Sequence, residues 1–369
     1  DETRHAVRDF FDRLRTSLRV REGSGLVPLE GPMADEDLLS PRLRGLAQAI
    51  DRGLPAAGAR DLALELGVRA HGLLGLADEV AALVAGPDAD HVSWAEWDAR
   101  GNASVVRAPV EVGPLLSESL WKAFGTVVLT SATLSTGKPA SFAFVRERLG
   151  LRDADELAVG SPFVYARQAR ILVRTDLPDP SRDPEGYEAA LPEAVLDAVR
   201  RTKGGAFVLF TSNESMRRTA AAVRAHFEGD GLTVLVQGED LPRTAMLERF
   251  REGNGVLFGV SSFWQGVDVP GDALRNVVIA RLPFEVPSHP LQRARQKRVE
   301  QAGRNAFDVL SLPHAAIRLK QGFGRLIRRA TDRGLVVILD PRIVTKRYGR
   351  ELLGSLPDCP VDLEPEIPA

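Results

Sequence analysis

Between residues 126 and 340, short β-branched and aliphatic runs alternate with longer segments of helical spacing, and this alternation limits what the chain can fold into more than any other feature. Strands are expected at 126–130, 170–174, 206–211, 232–236, 256–260, 276–281 and 335–340. Helices are expected at 214–227, 241–251, 291–302 and 315–328. Strands that alternate with helices predict βαβ units and a buried, mainly parallel sheet, so the expected fold class is α/β. In such sheets the chemistry gathers where loops leave the carboxyl ends of the strands.

The texture upstream is different. Residues 1–85 carry Leu and Ala at three- and four-residue spacing, as in DLALELGVRAHGLLGLADEVAALV (61–84), and read as mostly helical. Gly, Pro and acidic residues at 24–40 predict a connector. Residues 91–110 alternate around a turn at Arg100, Gly101 and Asn102 and predict a hairpin, in which Trp94 and Trp97 are expected to pack rather than to stack on bases. At 369 residues the chain has room for two or three compact units. Its 44% hydrophobic and 27% charged residues exclude a disordered or fibrous protein. No apolar run reaches the ~18 residues of a membrane span, and the first residues lack the charged-then-apolar pattern of a secretory leader. No membrane association and a cytoplasmic location are the resulting expectations. The single cysteine, Cys359, rules out a disulfide framework or a cysteine-ligated cluster made by this chain alone.

Net charge is −2, but its distribution is uneven: residues 291–350 hold 15 Lys and Arg against 4 Asp and Glu. A local basic excess of this kind suits a polyanion. Within it lies LKQGFGRLIRR (319–329). On a continuous helix Gln321, Arg325 and Arg328, spaced by four and three residues, share a face. Two guanidiniums and an amide converging on one point suit a polyphosphate, because the arginine fork binds phosphate oxygens bidentately and stays charged. A solvated basic helix face is the plainer alternative. A second constellation, VLFGVSSFWQGVDVPG (256–271), runs a buried strand into a loop holding Ser261, Ser262, Gln265, Gly266 and Asp268. Hydroxyls there can hold phosphates and a carboxylate can accept from a ribose hydroxyl. Trp264 is a candidate base-stacking residue, whereas Phe263 suits the core. VVLTSATL (127–134) delivers Ser131 and Thr133 to a strand end, and AFVLFTS (206–212) does the same for Thr211 and Ser212.

In order and spacing, TSATL, SPF (161–163), LFTS, Gln237-Gly238, FWQGVDVPG, RLPF (281–284), QGFGRLIRR and LDPR (339–342) resemble the bacterial DinG branch of the DinG/XPD superfamily 2 DNA helicases. The resemblance covers about residues 92–357. It implies RecA-like lobes closing on ATP and Mg²⁺ with 5′ to 3′ movement on single-stranded DNA, forked DNA being a further partner. It implies an arch-like helical region at 1–90, the tail of a first lobe at 91–160 and a second RecA-like lobe at 161–369. By the same resemblance Ser131 and Thr133 fall on a coupling motif, and Thr211, Ser212, Gln237 and Ser262 on motifs facing the DNA backbone. Gly266 and Asp268 fall on a motif shared by nucleotide and DNA. Gln321, Arg325 and Arg328 fall on the phosphate-contacting motif, with Arg328 as the arginine-finger candidate. Asp340 and Arg342 match a structural or DNA-supporting feature.

A complete motor also needs a phosphate loop, G-x-x-x-x-G-K-[ST], and a carboxylate pair for Mg²⁺. Neither pattern occurs in the 369 residues. Thr136-Gly137-Lys138 is followed by Pro139 and preceded by Ala132 where the first glycine belongs, and Asp78-Glu79 lies in a helical stretch. The expectation is therefore the C-terminal part of a longer, monomeric helicase, partnered by an N-terminal RecA-like lobe that supplies the rest of the ATP and Mg²⁺ site. No iron-sulfur cluster is expected within this chain. Two other classes stay open: a non-catalytic nucleic-acid-binding module, and a small-molecule phosphotransferase, the latter weakened by the lack of a recognisable base.

Overall fold

The computed structural model describes residues 2–18, 25–33, 36–53, 60–98, 101–137, 139–239, 241–264, 269, 271–285 and 287–365. The chain divides into two compact units, Asp1–Val112 with Pro287–Arg298, and Gly113–Val286 with Val299–Ala369.

In the first unit the helices Glu2–Ser17, Leu39–Gly53 and Arg60–Ala85 accompany a three-stranded antiparallel sheet. Its strands are β1 (Gly25–Leu29), β2 (His91–Trp97) and β3 (Ala103–Pro109), in the order β1-β2-β3. The expected hairpin is present, with Trp94 facing Val106 across the ladder; Arg100, in its turn, lies outside the described residues. Trp94 and Trp97 are buried, as expected of packing residues. One element departs from expectation. Part of the proposed connector at 24–40 is β1, which pairs with β2 from Gly25↔Trp97 to Leu29↔Ser93. Pro28 hides the strand in the sequence, since proline cannot donate to a ladder, yet an edge strand with only one partner tolerates it. Leu29 then joins Leu14, Leu83 and Trp97 in a shared core.

The second unit contains a seven-stranded sheet, every pair of it parallel. In chain order the strands are β4 (Ala169–Arg174), β5 (Ala206–Leu209), β6 (Thr233–Val236), β7 (Gly255–Gly259), β8 (Asn276–Ile279), β9 (Gly334–Ile338) and β10 (Val361–Glu364). Their spatial order is β10-β4-β9-β8-β5-β7-β6. Successive side chains on a strand point to opposite faces, and the two cores divide accordingly. Phe207, Leu209, Leu257, Val277, Ile279, Val336 and Ile338 pack on one side with Phe250, Leu319 and Phe323. Val208, Phe258, Val278 and Val337 pack on the other with Leu191, Val195, Val223 and Phe227. Helices on both faces of a parallel sheet are why these strands read as continuous apolar runs rather than alternating ones. The result is a RecA-like α/β fold.

The expected strand at 126–130 is not formed. Residues 126–131 run without sheet pairing, and Val127, Val128 and Leu129 are exposed, Val128 at 81%. β-propensity alone does not make a strand; the run needs a neighbour to bond with, and no described residue supplies one. The expected helix at 315–328 also stops early, running instead over Leu312–Phe323. Beyond it the Arg325 N–H bonds the Gly322 carbonyl at 3.2 Å and the Leu326 N–H bonds that of Phe323 at 3.0 Å, the tighter three-residue spacing of a terminating turn. Among the described residues no helix is long and apolar enough to cross a membrane.

Candidate functional site

Because helix Leu312–Phe323 ends before Arg325, the one-face argument for Gln321, Arg325 and Arg328 does not hold as stated. The three residues nevertheless meet. They line a cleft of about 340 Å³ together with Ser131, Thr133, Tyr165 and Lys320. A turn rather than a helix face brings them together. Gln321 Nε2 donates to Thr133 Oγ1 at 3.3 Å, tying the end of TSATL to QGFGRLIRR. Ser131 Oγ in turn accepts the Thr133 N–H at 3.2 Å. Among the described residues three cationic side chains and no carboxylate line the cleft, a donor set that fits an anion.

The first glycine of the motif has a packing reason. A Cβ on Gly322 would come within 2.9 Å of the Trp264 ring, so the helix can pass that ring only without a side chain. Trp264 is buried at 3% exposure and donates its indole N–H to the Phe210 carbonyl at 2.9 Å. This corrects its assignment as a base-stacking residue: the ring is wedged between β5 and the helix and is unavailable to a base. Phe263 is buried as expected. Arg325, 8% exposed, donates Nε to the Trp264 carbonyl at 3.2 Å. Arg328 is exposed, and its backbone N–H bonds Asp332 Oδ2 at 2.8 Å.

The candidates do not all gather at the carboxyl ends of the strands. Arg325 and Arg328 precede β9, and Tyr165 precedes β4. These strands pair in parallel, from Ala169↔Gly334 onward, so that arginine-bearing turn feeds the amino edge of the sheet. At the carboxyl edge stand Thr211 and Ser212 after β5, Gln237 after β6, Ser262 after β7 and Asp340 after β9. Ser212 caps the 17-residue helix Asn213–Gly229, accepting the Ser215 N–H at 3.4 Å. Gln237 Oε1 accepts the Val260 N–H at 2.8 Å, joining two strand exits. The carbonyl of Ser262 accepts from Arg243, whose guanidinium lies 5.5 Å from the Phe263 ring centroid. Gln265, Gly266 and Asp268 lie outside the described residues.

Asp340 is fully buried. Its carboxylate accepts the Leu282 N–H at 2.9 Å and binds the Arg342 guanidinium through Nε at 2.9 Å and Nη2 at 2.6 Å. Burial pulls the Arg342 pKa down, but the Asp340 hydrogen bonds and charge outweigh it and hold the group above its ordinary value. Arg342 therefore stays charged. The pair joins LDPR to RLPF and reads as architecture. Sequence reasoning missed Gln168, a 5% exposed amide bonded to three carbonyls of the Arg328 turn. Its only signal was a polar residue directly before a buried strand.

Residues 195–359 match the family described as Helicase C-terminal domain. Over 278 residues the chain is 41% identical to the ATP-dependent helicase DinG of Mycobacterium tuberculosis, covering 73% of this chain and 41% of that protein. It is 38% identical over 268 residues to the ATP-dependent DNA helicase YoaA of Escherichia coli, covering 72% and 41%. Against the 3′-5′ exonuclease DinG of Bacillus subtilis it is 36% identical over 290 residues, covering 75% and 30%. The chain thus spans less than half the length of these relatives. In fold it is similar to an apo XPD structure, with a TM-score of 0.66 at 16% identity over 98% of this chain and 69% of that one. In sequence the chain is similar to the C-terminal part of the DinG and YoaA helicases, with a helicase C-terminal domain at residues 195–359, and in fold it is similar to XPD.

Proposed function

We propose that the chain is the second motor lobe of an ATP-dependent DNA helicase, that the cleft beside Gln321 receives the nucleotide phosphates, and that Arg328 is its arginine finger. The observation that carries this reading is the cleft itself: an exposed arginine, a second buried one and an amide, with the hydroxyls of Ser131 and Thr133 beside them. ATP bound with Mg²⁺ supplies the transferable phosphoryl group. Arg328 stabilises the charge that develops on its oxygens, and Gln321, bonded to Thr133, links the phosphate cleft to the TSATL segment. No residue of this cleft is assigned to Mg²⁺. In this reading residues 1–90 correspond to an arch-like region and 91–160 to the tail of a first lobe, and a further RecA-like lobe provides the phosphate loop. The exposed apolar run at Val127, Val128 and Leu129 supports that view, since a buried neighbour would cover it.

Single-stranded DNA, moved 5′ to 3′, is assigned to the other edge of the sheet. Thr211 and Ser212 sit at the amino end of a 17-residue helix, where backbone N–H groups and the helix dipole favour a phosphate. Gln237, its oxygen occupied by Val260, offers its NH₂ end to a phosphate oxygen. The basic excess at 291–350 is a smaller footprint than its count suggests. Arg298 pairs with Asp90, Arg304 with Glu147, Arg342 with Asp340 and Lys346 with Asp179. DNA affinity is accordingly expected to fall as salt rises, with a log–log slope of roughly −0.7 per phosphate neutralised on a single strand. Binding titrations at several salt concentrations check this, and a salt-independent affinity contradicts it.

The functional reading is tested by ATP turnover with and without DNA. The isolated 369 residues are expected to show no appreciable DNA-stimulated hydrolysis, whereas the intact helicase shows it. Substantial turnover by the isolated chain overturns the two-lobe division of labour. The same absence of turnover in the intact protein favours a non-catalytic nucleic-acid-binding module.

A further inference from the structure

Between Gly324 and Gly334, where Arg325 and Arg328 reside, the chain forms neither helix nor strand. Two buried side chains organise this turn. Gln168, the last residue of the short helix Tyr165–Gln168, accepts the Val164 N–H on Oε1 at 2.8 Å. That bond fixes which end of the amide is which, because a backbone N–H can only donate. Nε2 therefore faces the other way, into the carbonyls of Arg329 at 3.2 Å, Ala330 at 3.1 Å and Asp332 at 3.1 Å. Three carbonyl oxygens aimed at one buried point repel one another unless a donor sits between them. Asp332, 6% exposed, complements this: its Oδ2 takes the N–H groups of Arg328 and Arg329, each at 2.8 Å. The peptide N–H groups on both sides of Arg328 are thus held by the Asp332 carboxylate, and the carbonyls that follow, from Arg329 to Asp332, are gathered by the Gln168 amide.

We propose that Gln168 is a positioning residue for Arg328, fixing the turn from which the guanidinium enters the phosphate cleft. Nothing in Gln168 itself lines that cleft; its neighbour Tyr165 does, and packs edge-on against Phe323 with ring centroids 5.7 Å apart. The short helix Tyr165–Gln168 therefore couples the segment after SPF both to the cleft wall and to the arginine turn. The inference rests on the cleft being the phosphate site. An arginine displaced by about 1 Å from a transition-state charge loses on the order of 10²-fold in rate, so loosening the turn acts on turnover before it acts on binding.

The test uses the intact helicase. In Gln168→Glu a fourth acceptor replaces the donor among the three carbonyls, whereas Gln168→Ala deletes the clamp without adding charge. For Q168E, kcat of the DNA-stimulated ATPase is expected to drop about 10- to 100-fold, with KM for ATP and DNA affinity little changed; Q168A shifts the same way by less. Q168E combined with Arg328→Ala should be no slower than Arg328→Ala alone, because both act through one group. Hydrogen exchange of the Arg328 and Arg329 amides should speed up in both Gln168 variants, and this readout does not depend on turnover. Wild-type kcat in Q168E and Q168A beside a dead Arg328→Ala overturns the inference, as does a double variant whose losses multiply. Wild-type turnover in Arg328→Ala instead overturns the phosphate reading of the cleft, and the inference with it.

Discussion

On the proposed reading of the cleft, Arg328→Ala in the full-length protein is expected to lower DNA-stimulated ATP turnover by about 10³-fold or more, the range over which an arginine stabilises phosphoryl transfer, while DNA affinity stays near the parent's. Such a loss corresponds to roughly 4 kcal/mol of transition-state stabilisation. The two effects separate because of where the residues lie. Arg328 belongs to a turn feeding the amino edge of the sheet, and the candidate DNA contacts Thr211, Ser212, Gln237 and Ser262 follow the carboxyl ends of β5, β6 and β7. Arg328 is also the most informative of the cleft's arginines. It is exposed, so its truncation leaves the core alone, whereas Arg325 is buried against the Trp264 carbonyl and its loss disturbs packing as well as chemistry. Arg329→Ala is the matching control. Its side chain is exposed and does not line the cleft, and the backbone groups held by Asp332 and Gln168 survive the substitution. Turnover in that variant should stay within about twofold of the parent if the effect depends on position rather than on charge alone. Steady-state ATPase and DNA titrations on the three proteins decide the matter: an Arg328→Ala enzyme that turns over normally removes the finger from this side chain.

What the sequence made legible follows from which forces are local. Buried parallel strands such as Phe207-Val208-Leu209 and Val256-Leu257-Phe258 announce themselves, because both faces are apolar and the run is short. Helix Asn213–Gly229 does too, since its cap, Ser212, and its buried Met216, Ala220, Val223 and Phe227 fall at helical spacing. The failures are all places where a partner distant in sequence decides. Residues 127–129 have the composition of a strand but no described neighbour to pair with. Gly25–Leu29 has the composition of a connector but finds β2 some 60 residues on. At 324–328 the helical period continues in the sequence, yet Leu326 and Ile327 are both buried, and Gln168 and Asp332 take over the backbone bonding that another helical turn would have satisfied. The motif therefore names residues that the fold does bring to one cleft, but it misstates the geometry that brings them there. Trp264 shows the converse: an aromatic beside polar residues looks like a base platform until Gly322 and the Phe210 carbonyl claim both its face and its N–H.

Asp340→Ala should have the largest effect on stability, about 3–5 kcal/mol, because it leaves a buried guanidinium without its counter-charge. The carboxylate is fully buried and binds Arg342 through Nε and Nη2, the Arg342 backbone N–H at 3.1 Å and the Leu282 N–H at 2.9 Å. Deleting it orphans all of these donors at once in a place water does not reach. Arg342 is also tied through Nη1 to Ser181 Oγ at 2.8 Å, and its guanidinium lies 5.9 Å from the Phe284 ring centroid. Neither replaces a charge. Arg342→Met leaves the opposite charge buried and should also be costly. The double variant Asp340→Asn with Arg342→Met should cost less than the sum of its single changes, because it removes both charges while the substituted amide keeps an oxygen for the Leu282 N–H. Urea unfolding of the parent, Asp340→Asn, Arg342→Met and the double, followed by a probe in the parallel-sheet unit, measures the coupling directly. Additive losses would mean the two side chains do not act as a pair. Because the pair joins the end of β9 to the RLPF segment after β8, a large coupling would identify LDPR as a brace holding two strand exits in register, which accounts for Asp340 and Arg342 standing beside the proposed nucleic-acid edge without needing to touch nucleic acid.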